Sequence, residues 1–85
     1  MTIKIRLRFF ASLREKLGEG ETLALPEAST VATAREALLA RGGVHADALA
    51  RDKAVRCALN QKMCAESVSL ADGDELAFFP PVTGG

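Results

Sequence analysis

The sequence is poor in side chains that bind metals or act as nucleophiles. It contains one histidine, His45, and two cysteines, Cys57 and Cys64, which lie seven positions apart. A lone imidazole cannot form a metal site, and this cysteine spacing matches no zinc or redox motif. We therefore expect no bound metal, a loop position for His45 and buried free thiols, because a persulfide role would require an exposed thiolate.

The chain also lacks net charge, a long hydrophobic run and a signal-peptide pattern. Its eleven basic and eleven acidic residues cancel, so no net field attracts nucleic acid or an anionic membrane. No segment approaches the roughly 18 apolar residues of a membrane span. These absences predict a cytoplasmic protein with no nucleic-acid or membrane partner, whose partners are proteins or small molecules.

Glycine pairs occur without the context of a phosphate-binding loop. Residues 18–20 read Gly-Glu-Gly and residues 42–43 read Gly-Gly, but neither pair has the spacing or the following Lys-Ser/Thr of such a loop. Both pairs are typical of helix ends. No Ser-His-Asp or Cys-His arrangement is present either, so the sequence does not indicate a self-sufficient enzyme.

The sequence does contain enough apolar residues for one folded domain. Hydrophobic residues make up 48% and charged residues 26% of the 85 positions, which is ordinary for a globular chain and too apolar for intrinsic disorder. A domain of this length buries about 60 to 65% of its unfolded surface. We expect a single, modest core.

Strand patterns dominate both ends of the chain. Apolar residues occupy the odd positions from Ile3 to Phe9, which predicts a half-buried strand with these positions facing the core. Further strands are predicted over residues 21–25, closed by Pro26, over a hairpin of residues 55–59 and 62–65 with its turn at 60–61, and over residues 75–79 after a turn at Asp72-Gly73.

A short helix is predicted after the first strand. Ser12 and Glu15 have the spacing of a capping box, in which each side chain satisfies a backbone donor of the first turn. Leu13 and Leu17 share one face, and Gly18 can end the helix.

The main helix is predicted near the middle of the chain. Ser29 or Thr30 can cap its start, and residues 42–43 stop it. Residues 44–54 have no clear pattern. One principal helix among strands, without βαβ repetition, predicts an α+β fold with the helix packed on one face of a sheet.

Two aromatic side chains fall on the polar phase of their strands. Phe10 is out of phase with the buried positions of the first strand, and we expect Phe79 to face outward because Phe78 and Leu76 share the opposite phase. If these strands are neighbours, Phe10 and Phe79 form an apolar patch, and such patches mark partner-binding sites. The alternative is that each is an isolated exposed aromatic.

The last six residues form a stiff segment that ends in bare backbone. Two prolines, Pro80 and Pro81, end the strand and extend the chain, and Gly84 and Gly85 have no Cβ to block another protein's backbone. We expect residues 1–79 to form the domain and residues 80–85 a flexible tail that can enter a narrow cleft. The alternative is a frayed terminus without a function.

Residues 70–85 resemble the ending of the small, sulfur-carrying subunit of molybdopterin synthase. They read Leu-Ala-Asp-Gly-Asp-Glu-Leu-Ala-Phe-Phe-Pro-Pro-Val-Thr-Gly-Gly. Residues 9–15 and 58–61 also resemble that family's pattern, so the resemblance covers roughly half of the chain. It implies a β-grasp, ubiquitin-like fold with a mixed sheet. Leu59 stands where valine is commoner, and Cys57 and Cys64 are outside the family pattern.

The resemblance also implies a mechanism. In the family, an ATP-dependent activating enzyme forms an acyl-adenylate at the terminal glycine, sulfur displaces AMP, and the resulting thiocarboxylate donates sulfur to cyclic pyranopterin monophosphate. That glycine would be Gly85, and the chain itself would bind no cofactor. The acid and base groups would lie on the large synthase subunit, into which the tail inserts.

The resemblance further assigns roles to individual positions of this sequence. Positions matched to tail insertion are Gly84, Thr83, Val82, Pro81 and Pro80, and those matched to the partner interface are Phe10, Met63 and Phe79. Met63 suits a surface that serves two partners in turn, because its unbranched thioether adapts to different shapes. The alternative for Met63 is simple core filling.

Three other functions remain open at this point. They are a sulfur carrier of the thiamine pathway, a ubiquitin-like protein modifier, and an interaction module that shares only the fold. Thiamine-type carriers also end in Gly-Gly, but Phe78-Phe79-Pro80-Pro81 fits the molybdopterin family better. An interaction module would tolerate loss of Gly85, whereas a carrier would not.

Overall fold

A computed structural model describes residues 2–50 and 55–80 of the chain. In this described part of the chain, five strands form one mixed sheet, and three helices cover one of its faces. The strands are β1 (Thr2–Phe9), β2 (Gly20–Pro26), β3 (Arg56–Leu59), β4 (Lys62–Cys64) and β5 (Glu75–Phe79), and the helices are α1 (Ala11–Leu17), α2 (Val31–Leu39) and α3 (Gly43–Ala48).

The strand order of the sheet is β2-β1-β5-β3-β4. The two strands that are furthest apart in sequence, β1 and β5, run parallel at the centre, while the β1–β2, β3–β5 and β3–β4 pairs are antiparallel. This order, with α2 between the two hairpins, is that of a β-grasp fold. It confirms the predicted α+β class and the packing of the main helix on one face.

The core lies between the helices and the inner face of the sheet. The odd positions of β1 are all buried, as predicted, and Phe9 and Phe78 stack with ring centroids 6.4 Å apart. Leu38 of α2 and Leu49 after α3 are fully buried in the same cluster. Burial of each such side chain contributes about 1.5–3 kcal/mol, so this single core accounts for much of the favourable free energy of folding.

Both predicted turns are confirmed. Asn60 and Gln61 adopt φ values of +50° and +70°, the left-handed geometry that closes a two-residue hairpin. At the second turn Gly73 has φ +88°, and the Asp72 carboxylate accepts a 2.8 Å hydrogen bond from the backbone N–H of Lys4. This turn therefore fixes β5 beside β1.

The start of the main helix agrees with its sequence signal. Thr30 is the N-cap of α2, and its hydroxyl accepts from the backbone N–H of Thr33 at 3.3 Å. The Thr33 hydroxyl in turn accepts from the backbone N–H of Thr30 at 3.2 Å. Each side chain therefore satisfies a donor that the helix leaves without a partner.

The predicted end of the main helix was wrong. α2 ends at Leu39, and Gly42 and Gly43 instead begin α3, with φ values of +69° and +58° that redirect the backbone. His45 therefore lies in a helix and not in a loop. The weak pattern of this segment hid a six-residue helix, because its stabilising contacts come from elsewhere in the chain.

Arg35 supplies those contacts. This arginine is buried, and its guanidinium donates to the carbonyl oxygens of Leu49 at 2.9 Å and Ala50 at 2.7 Å, just after α3 ends. It also pairs with the Glu66 carboxylate at 2.7 Å. A residue of α2 thus holds the end of α3 in place.

The predicted capping box of the short helix was also wrong. The N-cap of α1 is Phe10, no side chain caps it, and Ser12 lies inside the helix. The Phe10 carbonyl accepts from the backbone N–H groups of Leu13 and Arg14 at 3.1 and 3.3 Å. Strand pairing at Phe10 fixes the helix start, and Gly18 ends the helix as predicted, with φ +91°.

Candidate partner-binding face and C-terminal segment

The outer face of the sheet is the one that the helices leave uncovered. Because side chains alternate along a strand, the register places Met63, Ala58, Ala77 and Arg8 side by side on four adjacent strands of this face. The two small alanines occupy the middle of that row. A shallow apolar surface results, bounded by longer side chains at either end.

The predicted neighbourhood of Phe10 and Phe79 is present. Phe9 pairs in register with Phe78, and the backbone N–H of Phe10 donates to the Phe78 carbonyl at 3.2 Å. Phe10 is 41% exposed, whereas Phe79 is partly buried on the face opposite to the buried Phe78. Two aromatics therefore stand at the same end of adjacent strands.

Met63 lies on the same face, on the edge strand β4. Its side chain is 60% exposed and its cross-strand partner is Ala58. Core filling is thereby excluded for Met63. We call Phe10, Phe79, Met63, Ala58 and Ala77 together the outer patch.

Basic side chains border the outer patch along β1. Lys4, Arg6 and Arg8 share the outer phase of this strand, and Arg8 lies over the Phe10 ring with its guanidinium carbon 5.4 Å from the centroid. Arg8 also contacts the Glu75 carboxylate at 3.4 Å. The face as a whole presents an apolar area beside positive charge.

The alanines and Arg8 were missing from the sequence prediction. Their strand phase is visible in the sequence, since Ala58 alternates with Cys57 and Leu59, and Ala77 alternates with Phe78. That these residues form one row cannot be predicted from the sequence, because the row depends on the order in which β1, β5, β3 and β4 pair.

β5 is a central strand of the sheet, and it ends at Phe79. Pro80 directly follows Phe79 and is partly buried. The other positions matched to tail insertion and chemistry lie outside the described residues; they are Pro81, Val82, Thr83, Gly84 and Gly85. The described part places the root of the tail at the Phe10 end of the outer patch.

The two cysteines lie on the inner face of the β3–β4 hairpin. Cys57 is buried, as predicted, but Cys64 is only partly buried. Burial, and secondarily the hydrogen bond with Cys64, raises the pKa of the Cys57 thiol to about 12. Cys57 is therefore a neutral thiol at physiological pH, unlike a reactive thiolate.

The described residues contain neither a metal-binding cluster nor a membrane-spanning helix. Among residues 2–50 and 55–80, no group of three or more His, Cys, Asp and Glu side chains is arranged to hold a metal ion. The described helices are also too short and too polar for any of them to cross a membrane.

A mixed β-grasp sheet with an open apolar face beside its last strand defines a small protein of the ubiquitin-like class. A Caldiarchaeum subterraneum ubiquitin, at 16% identity and a TM-score of 0.62, shares this fold over 100% of both chains. Within this class the chain belongs to the ThiS family, which its residues 7–85 match.

Relatives with higher sequence identity indicate more closely which proteins of this class the chain is similar to. The molybdopterin synthase sulfur carrier subunit of Escherichia coli (strain K12) is 41% identical over 81 residues, which cover 95% of this chain and 99% of that protein. The crystal structure of SAMP1 from Haloferax volcanii has 28% identity and a TM-score of 0.78, covering 96% and 99% of the two chains.

One similar structure contains two different subunits. It is the complex of subunits 1 and 2 of molybdopterin-converting factor from Helicobacter pylori 26695. The matched chain has 25% identity and a TM-score of 0.63, and the match covers 98% of this chain and 100% of that one.

Proposed function

We propose that this chain is the sulfur carrier subunit of a molybdopterin synthase, with Gly85 as the site of chemistry. The observation that carries the proposal is the 41% identity to the Escherichia coli subunit over 95% of the chain. Residues 1–79 act as the folded domain and residues 80–85 as a flexible tail. The protein works in the cytoplasm, where its partners supply both ATP chemistry and catalysis.

The chemistry follows from the poor reactivity of a carboxylate. Its negative charge repels nucleophiles, and oxide is a poor leaving group, so the Gly85 carboxylate must first be activated. A separate adenylyltransferase joins it to AMP and releases pyrophosphate from ATP. A sulfur nucleophile then attacks the acyl carbon, AMP leaves, and a thiocarboxylate results.

The thiocarboxylate is the form that donates sulfur. In the large synthase subunit its sulfur forms a bond to cyclic pyranopterin monophosphate. Water then cleaves the bond between that sulfur and the Gly85 acyl carbon, which leaves the sulfur on the precursor and returns the chain to a carboxylate. A dithiolene needs two sulfur atoms, so two charged carriers are consumed for each molybdopterin. This chain is thus a rechargeable cosubstrate.

The outer patch is suited to docking the large subunit. Its apolar side chains lie beside the root of the tail, so binding there would direct residues 80–85 to one place on the partner. Subunit 1 of the Helicobacter pylori factor is found in a complex with subunit 2, which supports a partner of the same kind here. The bordering Arg6 and Arg8 favour a partner surface that carries carboxylates.

The acid and base groups belong to that partner. No Ser-His-Asp or Cys-His constellation occurs in the sequence, and Cys57 is held as a neutral thiol. Gly84 and Gly85 allow the end of the chain to enter the partner's site, and the large subunit carries out proton transfer there. We therefore expect no sulfur transfer from the isolated chain.

A mass measurement tests the proposal directly. The full chain is incubated with ATP, a sulfur source and its cognate activating enzyme, and the C-terminal peptide is then fragmented. Replacement of one oxygen by sulfur at Gly85 is the expected result. An unchanged mass with an activating enzyme that charges its own carrier contradicts it.

A protein modifier is the second candidate, and the 28% identity to Haloferax volcanii SAMP1, whose name is small archaeal modifier protein 1, favours it. A modifier would form an isopeptide bond between Gly85 and a lysine of another protein. Adding the chain with its Gly85 thiocarboxylate to a lysate distinguishes the two functions. Covalent adducts with other proteins indicate a modifier, whereas sulfur delivery to cyclic pyranopterin monophosphate indicates the carrier. A thiamine-pathway carrier would charge in the same way but fail with that acceptor.

A further inference from the structure

Cys57 and Cys64 are direct cross-strand partners in the β3–β4 hairpin, and their Sγ atoms lie 3.5 Å apart. Paired residues of antiparallel strands have Cα atoms about 4.5–5.5 Å apart, within the range of about 4.4–6.8 Å that disulfides span. We propose that the two thiols form a redox site, at which a low-molecular-weight disulfide oxidises them to an intramolecular disulfide. This inference is independent of the proposed function, because it involves neither the tail nor the outer patch.

The two thiols are not equivalent, which sets the order of reaction. Cys57 is only 5% exposed, and its thiol donates to the Cys64 carbonyl at 3.3 Å. Cys64 is partly buried at the sheet edge, so an incoming disulfide reaches its sulfur first. Cys57, whose pKa is raised to about 12 mainly by burial, stays protonated at neutral pH and does not start the reaction.

The reaction is a pair of thiol–disulfide exchanges. The Cys64 thiolate attacks one sulfur of glutathione disulfide, which forms a Cys64–glutathione disulfide and releases one glutathione thiolate. That thiolate accepts the proton of the Cys57 thiol. Cys57 Sγ then attacks Cys64 Sγ, and the second glutathione leaves as a thiolate. In total the two protein thiols are oxidised and one disulfide is reduced to two thiols.

The second exchange is favoured by the fold. The hairpin already holds both sulfur atoms at 3.5 Å, so the two atoms that react are neighbours before the bond closes. Such prior positioning raises the rate of a reaction within one molecule. The new bond would tie the edge strand β4, which carries Met63, to β3.

The test is oxidation of the full-length folded chain. The chain is treated with glutathione disulfide at neutral pH, and the reaction is quenched with iodoacetamide. The intact mass of the chain is then measured by mass spectrometry. We expect a monomer that is lighter by two hydrogen atoms and carries no alkyl group. Dithiothreitol should restore the mass of the reduced chain. Closure should be about tenfold or more slower in denaturant, where the hairpin no longer holds the thiols together.

Two variants separate the steps. Cys57→Ser should stop at the mixed disulfide on Cys64, whereas Cys64→Ser should stay unmodified because Cys57 is buried. The proposal is overturned if the wild-type chain accumulates the mixed disulfide, forms disulfide-linked dimers or keeps two alkylatable thiols. It is also overturned if Cys64→Ser reacts as fast as the wild type.

Discussion

The backbone N–H of Phe10 donates a 3.2 Å hydrogen bond to the carbonyl oxygen of Phe78, at the end of the parallel β1–β5 pairing. This bond brings an exposed aromatic next to the strand that continues through Phe79 into the tail. The proposed docking surface therefore lies beside the strand that leads to the proposed reactive segment.

Removing Gly85 should abolish charging of the chain with sulfur while leaving the fold intact. The tail follows β5 in the sequence, and all the buried core side chains of the described residues come from residues 3–78, so we expect the loss of Gly85 to cost little free energy of unfolding. Thiocarboxylate formation is followed by intact mass, and the fold by far-UV circular dichroism. A matched control adds the same short extension either after Gly85 or before residue 1; only the C-terminal extension should block charging.

Phe79→Asp should weaken binding to the large synthase subunit by about tenfold or more. A charge placed within an apolar contact is desolvated without a partner, and buried aromatic side chains are among the residues that carry most of the binding energy of an interface. The dissociation constant is measured by calorimetry, with circular dichroism as a check on folding. If Phe79→Asp unfolds the domain, the residue belongs to the core instead.

Met63→Asp should also weaken that binding, and Val44→Asp provides its matched control. Both residues are exposed apolar side chains, at 60% and 47%, but Val44 lies on α3 in the helical layer. We therefore expect the dissociation constant to rise for Met63→Asp and to stay unchanged for Val44→Asp. Equal effects of the two substitutions would place the interface elsewhere.

Arg35→Leu should lower the free energy of unfolding by about 2–4 kcal/mol, since it removes donors from two carbonyl groups and the buried partner of Glu66. Arg41→Leu is the control. Its pair with Glu21 is partly exposed, with side chains 38% and 31% accessible, so we expect a loss below about 1 kcal/mol. Urea denaturation measures both. Similar losses would show that Arg35 does not hold α3.

Stability should fall in alkaline solution because of Cys57. Its pKa is about 12 in the folded chain and about 8.5 in an unfolded one, so the folded state binds the extra proton between these values. The contribution is fully present below about pH 8.5 and is lost as pH rises toward 12, by at most about 1.4 kcal/mol per pH unit. Urea denaturation at several pH values measures this slope.

Two substitutions assign that slope to one thiol. Cys57→Ala should remove it, whereas Cys64→Ala should keep most of it, because burial is the larger cause of the raised pKa. An equal slope in all three proteins would assign the alkaline loss of stability to other groups.

Much of the architecture could be predicted from local pattern. The alternation from Ile3 to Phe9, the Asn60-Gln61 turn and the last strand from Glu75 to Phe79 all agree with the structure. These signals succeed because strand phase and turn geometry depend on neighbouring residues. The misplaced start of α1 and the missed α3 depend on distant partners, namely the Phe10–Phe78 hydrogen bond and the Arg35 contacts.

The sequence by itself determined which face of the first strand is buried and where the turns lie, because periodicity and residue type are local properties. Only the tertiary structure decided that Phe10, Met63 and Phe79 share one face, and that Cys57 and Cys64 meet across a hairpin. The reason is strand order. Pairing between strands far apart in sequence is set by the packing of the whole core, which no single segment encodes.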